Sequence, residues 1–442
     1  MNDKREINGW VMYDWANSAF STTVVTALLG PYIFALAQSS ETPVTFFGIV
    51  IEPAAIFPFA ASLSVALQVI FLPLLGTVAD YTHLKKKMLL TFAYIGAAST
   101  IFLFAVQADM PVLGTNGAIF MAAVIAIVAN LCFGAAIVFY NAFLPDIASP
   151  DTRDSVSSRG FAFGYLGGGV LLLVNLILIN FLTDTALAVR ISLASAGVWW
   201  LAFTFLFPQK RLKQREAARA LPEGSKLLTH GLKQIWHTLG DLWRKYPKTL
   251  QYLIAYLIYN DGIQTVIVVS TLFAADELGA DNTTLLLLVL MIQFLAFFGA
   301  LGFGFLAKRI GARRAIMLSL VVWSGVVIYA YLWLTTITQL YVLGVCIAMV
   351  LGGSQALSRS LFSQMIPDSQ ESEFFGFYEI SERGTSWLGP LAFAAAVQIT
   401  GSQRIAIVSL IIFFVVGLAL LSRVNVRQAM LDAGQDPTGV VL

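Results

Sequence analysis

Charge is what this chain has least of. Only 12% of its 442 residues are Asp, Glu, Lys or Arg, about half the share found in soluble globular domains. The two cysteines, Cys132 and Cys346, lie deep in apolar runs. There a thiol packs as a small hydrophobe, which excludes a disulfide scaffold. The three histidines, His83, His230 and His237, sit in polar segments away from clustered acids, so no metal site is expected. A net charge of +2 gives no basic field for nucleic acid. No phosphate-binding loop occurs, and no nucleophile–base pair falls at membrane depth, so neither ATP-driven pumping nor intramembrane catalysis is expected.

What the chain has in abundance is apolar surface. Hydrophobic residues make up 58% and the mean hydropathy is +0.79. Twelve membrane helices of about 20 residues would consume about 240 residues, close to the hydrophobic total. The expected fold is therefore an all-α integral membrane bundle of twelve spans. They are read as 15–38, 54–78, 88–107, 117–140, 160–180, 188–207, 250–273, 283–306, 315–335, 340–361, 375–398 and 404–422. The first run has no small-residue cleavage signature and is read as a retained helix. Residues 46–79 are too long an apolar run for one span, so a break at Glu52–Pro53 is expected, with a short interfacial helix before it.

All but Arg190 and Arg404 of the 27 Lys and Arg fall on one side of this map, the side of both termini. The other side holds Glu41, Glu52, Asp109, Asp184, Asp276, Glu277 and Asp281. Basic residues near helix ends resist translocation, which predicts cytoplasmic termini. The organisation read from this is a first six-helix bundle (1–207), a basic linker (208–249), a second six-helix bundle (250–422) and a tail (423–442). Within the linker, Leu228, Leu232, Ile235, Leu239 and Leu242 recur at helical spacing beside Trp236 and Trp243. That is an amphipathic helix lying on the inner membrane surface or across the bundle, or else a docking site for a cytoplasmic partner.

The two bundles repeat one another. Gly76-Thr-Val-Ala-Asp80 with Lys85-Lys86 matches Gly304-Phe-Leu-Ala-Lys308 with Arg313-Arg314 in spacing. Pro145-Asp146 answers Pro367-Asp368; Ser158-Arg159-Gly160 answers Glu382-Arg383-Gly384; Tyr165-Leu166-Gly167 answers Trp387-Leu388-Gly389. A duplicated six-plus-six bundle points to alternating access, with two halves rocking about a central site. A fixed channel is disfavoured on the same ground.

With these motifs in place, the chain resembles a major facilitator superfamily transporter. The Gly76–Lys87 segment is similar to that superfamily's loop between the second and third helices, and Gly304–Arg314 to its degenerate repeat. Tyr13-Asp14-Trp15-Ala16-Asn17-Ser18-Ala19-Phe20, with Tyr259-Asn260-Asp261-Gly262, resembles a narrower branch, the bacterial relatives of the autophagy-related vacuolar effluxer family. The resemblance implies export of amino acids or related solutes. It also implies that Asp80, Lys85 and Lys86 form a latch at the inner end, with Lys308 in place of the acid in the second copy.

Polar groups inside apolar spans mark candidate sites. Asp14 and Asn17 share one face of the first span; Asp261 and Gln264 share one face of the seventh, beside Tyr259 and Asn260. These six residues are read as a wall for a small polar solute or a proton, against the blander reading of Asp14 as a helix-end anchor. Glu379 and Arg383 form an i,i+4 pair, and Glu382 needs a partner of its own, for which Arg359 is the candidate. With Asp146 and Arg159 these are expected to build an inner gate, or to carry a coupled proton through Glu379 or Glu382. Glu52 is read as an outer gate or a solvated acid. The function expected is secondary active transport of a small polar organic solute, possible without cofactor or obligate partner and as a monomer. A carrier for an amphipathic compound, or a sensor or scaffold in the same fold, are the alternatives. The expected location is the plasma (bacterial inner) membrane.

Overall fold

The computed structural model describes residues 1–442 except 41, 47–48, 109, 111–112, 218, 220–226, 384–387 and 442, and leaves out the side chains of 46, 49, 227–229 and 282. Glu41 and Asp109 of the acidic end, Gly384 and Trp387 of the repeat, and the Leu228 side chain therefore lie outside the described residues.

Long apolar runs become helices because only a helix satisfies its own backbone groups without water. The first bundle comprises α1 (Lys4–Gln38), α2 (Pro53–Asp80), α3 (Lys85–Ala105), α4 (Gly114–Ala142), α5 (Arg153–Phe181) and α6 (Thr185–Leu206). The linker carries α7 (Leu227–Arg244). The second bundle comprises α8 (Pro247–Leu278), α9 (Asn282–Ile310), α10 (Ala312–Leu332), α11 (Ile337–Gln364), α12 (Glu371–Arg383), α13 (Leu388–Thr400), α14 (Gln403–Ser409) and α15 (Ile411–Ser422). A short α16 (Val426–Asp432) follows. Among the described residues, eleven helices are long and apolar enough to cross a membrane. The eleventh expected span coincides with α12 and α13, on either side of residues 384–387.

Helix starts are set by local chemistry. The Asp184 and Asp281 carboxylates accept from the backbone N–H of Leu187 and Thr284, and Thr336 makes a reciprocal capping box with Gln339. Gly279, at φ +64°, ends α8 in the left-handed conformation that favours glycine.

Two expectations need correction. Among the described residues no short helix lies between α1 and Pro53; Thr45–Phe46 and Ile49–Val50 instead form a short antiparallel pair, β1 and β2. The first helix starts at Lys4 rather than 15, because Asp3 caps it through the Arg5 N–H. Asp14 therefore sits three turns inside a continuous helix and cannot be a helix-end anchor. Residues Phe20–Leu28 of α1 are wound as π-helix.

The halves meet along two seams: α2 with α12, and α5 with α9 and α11. Within the halves, α1 packs on α5 and α6, and α8 on α15. Large apolar side chains such as Phe59, Ile70, Phe181, Val268 and Ile412 face outward around the bundle, as a lipid-facing belt requires and a water-facing surface would not tolerate.

Candidate functional site: a charge network between the two halves

The network is centred on Arg359 of α11, which is 2% exposed. Its guanidinium uses all five N–H donors, every one on the opposite half. Nε donates to Ser157 Oγ (2.9 Å) and Nη2 to the Ser157 carbonyl (3.0 Å). Nη1 and Nη2 each donate to Asp14 Oδ2 at 3.3 Å, and Nη1 also to Asn141 Oδ1 at 3.2 Å. The rings of Trp10, Tyr140 and Phe161 surround the cation at 4.7, 5.2 and 4.2 Å. Burial of a charge is tolerated only where its partners replace the water it loses, and here hydrogen bonds and ring faces do so together. Tyr140 donates its hydroxyl to Asp14 Oδ2 (2.6 Å), and Trp10 Nε1 donates to the Tyr140 carbonyl (2.7 Å). Gly160 makes room for this cluster, since a Cβ there would stand 2.7 Å from Asp14 Oδ2 and 2.9 Å from Arg359 Nη2.

Asn141 carries the network back across the seam, donating to Glu379 Oε1 at 2.9 Å. Glu379 in turn accepts from Arg383 Nε at 3.1 Å, and the Arg383 guanidinium lies 4.9 Å from the Phe133 ring centre. The chain of contacts thus alternates between halves: Asp14, Arg359, Asn141, Glu379–Arg383, Phe133.

A second layer lies nearer the basic end. Asp80, at the last turn of α2, accepts the backbone N–H groups of Ser372 (3.1 Å) and Glu373 (2.9 Å) at the start of α12. A carboxylate at a helix N-terminus satisfies otherwise orphaned donors and opposes the positive end of the helix dipole. Lys85 reaches Asp146 at 3.2 Å and Glu371 at 3.8 Å. Across the other seam, Arg153 Nη1 donates to the Ser363 carbonyl (2.8 Å), Ser157 Oγ to that of Ala356 (2.7 Å), and Ser360 Oγ to Asp154 (2.5 Å).

Among the described residues, the bonds between halves run from the basic end to mid-depth, where Gln293 of α9 donates to Thr22 in the π-helical part of α1 (2.6 Å). None involves the acidic end.

Several expected partners fall elsewhere. Arg359 pairs with Asp14 and not with Glu382, because Asp14 approaches it from α1 while Glu382 faces Tyr256 and Arg383. Arg159 is exposed and stands outside the network; the buried cation of α5 is Arg153, almost two turns earlier. Lys86 is half-buried with no ion pair among the described residues, and Lys85 is the bridging lysine. Glu52 is exposed and does not cap α2. Asn17 is buried one turn beyond Asp14 on α1, with its amide nitrogen unpaired among the described residues. Tyr259 is held by Ser358 Oγ at 2.7 Å, and Asn260 donates to the Glu382 carbonyl at 3.2 Å. Asp261 is 1% exposed, with neither carboxylate oxygen bonded among the described residues, and Gln264 is half-buried. Sequence reasoning missed Trp10, Tyr140, Asn141, Arg153 and Ser157. Asn141 and Tyr140 could have been flagged as polar groups inside a long apolar run.

The sequence profile described as "Vacuole effluxer Atg22 like" matches residues 2–434. The chain belongs to this family. An uncharacterized MFS-type transporter of Bacillus subtilis, YxiO, is 32% identical over 95% of this chain and 94% of its own length. Autophagy-related protein 22-1 of Penicillium rubens is 24% identical, over 97% and 91%. Among solved structures, an outward-facing bacterial homologue of the iron transporter ferroportin superposes with a TM-score of 0.66 at 12% identity, covering 95% of this chain and 98% of that one. The human organic anion transporter MFSD10 gives 0.65 at 14%, covering 95% and 99%. This member of the Atg22-like family is thus a multi-pass membrane transporter of the major facilitator type, and not an enzyme.

Proposed function

We propose that this chain is a secondary active transporter that exports a small polar organic solute, an amino acid or related metabolite, by alternating access. The observation that carries the reading is the one-sided seam: two layers of inter-half bonds occupy the basic end and mid-depth, and none is formed at the acidic end among the described residues. A carrier closed at one end and unlatched at the other is in one of its two access states. With twelve spans and the basic end in the cytoplasm of a bacterial inner membrane, as the charge asymmetry favours, that state is outward-facing. The matching family is described as an effluxer, which favours export.

Charges of both signs border the mid-depth region. Half-buried Glu382 and Arg383 stand beside Asn260, and Asp261 lies one residue beyond Asn260 on α8. Such a pair of signs suits a solute bearing both an ammonium and a carboxylate. Proton coupling would use Glu379, which loses Asn141 when the seam opens and then holds its charge in the bilayer interior beside Arg383 alone. No cofactor or obligate protein partner enters this scheme, and the monomer suffices.

The test is counterflow in proteoliposomes, with a labelled amino-acid panel and an imposed pH gradient. Saturable exchange of one group is expected, and its loss in a folded Asp261→Asn variant would place that carboxylate on the transport path. No exchange across the panel by folded, inserted protein would sink the amino-acid assignment and leave amphipathic cargo as the next candidate.

A further inference from the structure

Helix α7 presents two faces with different partners. Gly231, Thr238 and Leu242 are buried: Gly231 lies against Leu74 and Thr77 of α2, and Thr238 donates its hydroxyl to Glu373 at the start of α12. Gln234 accepts from the Tyr81 hydroxyl at 3.4 Å, and His230 meets the Tyr81 ring edge-on. Glu373 is also the residue whose N–H bonds Asp80, so α7 touches the latch itself.

The other face has no partner among the described residues. Leu232, Trp236, Leu239 and Trp243 are 51, 76, 41 and 74% exposed, and steps of four, three and four place them in one stripe. Lys233 and Arg244 are exposed beside it, while the one acid of the helix, Asp241, is neutralised by Lys245 at 3.1 Å. The stripe leads into the lipid-facing belt: α8 begins at Pro247 and exposes Ile254, and neighbouring α2 exposes Ile70 and Phe71. Two tryptophans, two leucines and flanking cations are the composition of a helix lying in a bilayer interface, with its rings at headgroup depth and its cations among lipid phosphates.

We propose that this face of α7 docks on an anionic lipid leaflet, and that docking seats Thr238 against Glu373, so that membrane charge helps hold the basic end closed. The occupant is lipid rather than protein because the stripe continues the bilayer-facing surface and is bordered by the exposed cations Lys233 and Arg244. The proposal rests on the chain being a membrane transporter, not on which solute it carries. Vesicles with the same lipids in both leaflets, and iodide on both sides, make the test independent of insertion direction, so its failure would leave the transport reading untouched.

The test attaches a fluorophore at Leu239→Cys in a full-length chain carrying Cys132→Ala and Cys346→Ala. Vesicles are phosphatidylcholine alone or with about one-third phosphatidylglycerol. With phosphatidylglycerol the label should be quenched by brominated acyl chains and shielded from aqueous iodide; without it, iodide should reach the label. Lys233→Gln with Arg244→Gln should abolish most of that difference. A label open to iodide in both vesicles would overturn the proposal and leave the face for a protein partner. Equal acyl-chain quenching in both would overturn the requirement for anionic lipid.

For the latch, spin labels at Lys87→Cys and Asp368→Cys report opening across the seam. Phosphatidylglycerol should shift the population toward the shorter distance, and Thr238→Val should remove the shift while leaving the depth of the α7 label unchanged. A shift that persists in Thr238→Val, or none in the parent chain, would overturn the link between docking and the latch.

Discussion

Arg359 shows how one side chain can decide a conformational state. Its charge is out of water and all five donors are used, so its position is favourable only while the halves are together. Removing a single partner from a buried pair leaves an uncompensated charge and costs about 3–5 kcal/mol. Asp14→Asn should therefore lower the thermal unfolding midpoint in detergent and raise thiol labelling near the seam. The double variant Asp14→Leu/Arg359→Met should recover much of the lost stability, because two apolar groups need no partner. If the effects of Asp14→Leu alone and Arg359→Met alone simply add in the double variant, the ion pair is not what couples the halves. Asp14 was legible from the sequence as a polar group in an apolar run. Its partner was not, because Arg359 is 345 residues away in the chain and periodicity says nothing about which helices touch.

At the scale of elements, the latch depends on how closely α2 and α12 approach. A Cβ at Gly76 would overlap the Ser372 carbonyl, and one at Gly376 would stand 2.9 Å from Pro73 Cα. Each helix thus presents a bare patch to the other, which brings Asp80 within reach of the first N–H groups of α12. Gly76→Leu should pry this seam apart, with labels at Lys87→Cys and Asp368→Cys moving to longer distances and little change in helix content by circular dichroism. Asp80→Ala removes a carboxylate from a helix N-terminus, worth about 1–2 kcal/mol. It should shift the same distance distribution by about tenfold in population ratio. An unchanged distribution would mean that other contacts, such as Lys85 with Glu371, hold this seam without Asp80.

At the scale of the molecule, the sequence duplication becomes a relation between the two seams. Gly76 meets Ser372 where α2 meets α12, and Gly304 meets Ser158 where α9 meets α5. The matched glycines therefore open the same kind of close approach at both seams. The latch itself is not duplicated: Asp80 is buried and bonded, whereas Lys308 is exposed without an ion pair among the described residues. Opening at the basic end should begin by breaking different bonds at the two seams. In oriented vesicles, a thiol at Gln264→Cys should react with an impermeant reagent from the acidic side and be protected from the basic side. Equal reaction from both sides would contradict a carrier closed at one end.

The sequence by itself determined the class of molecule, most of its apolar helices, its repeated motifs and the asymmetry of charge along the chain. Those follow from local composition and spacing: an apolar run in lipid has few alternatives to a helix, and Gly76 and Asp80 carry their motif wherever they stand. Only the tertiary structure decided the partners. It joined Asp14 to Arg359, drew Asn141, Tyr140 and Arg153 into the network, left Arg159 and Glu52 outside it, and set Thr238 of the linker against Glu373. The physical reason is that a buried polar group is stable only with a specific neighbour, and that neighbour is chosen by how distant helices pack.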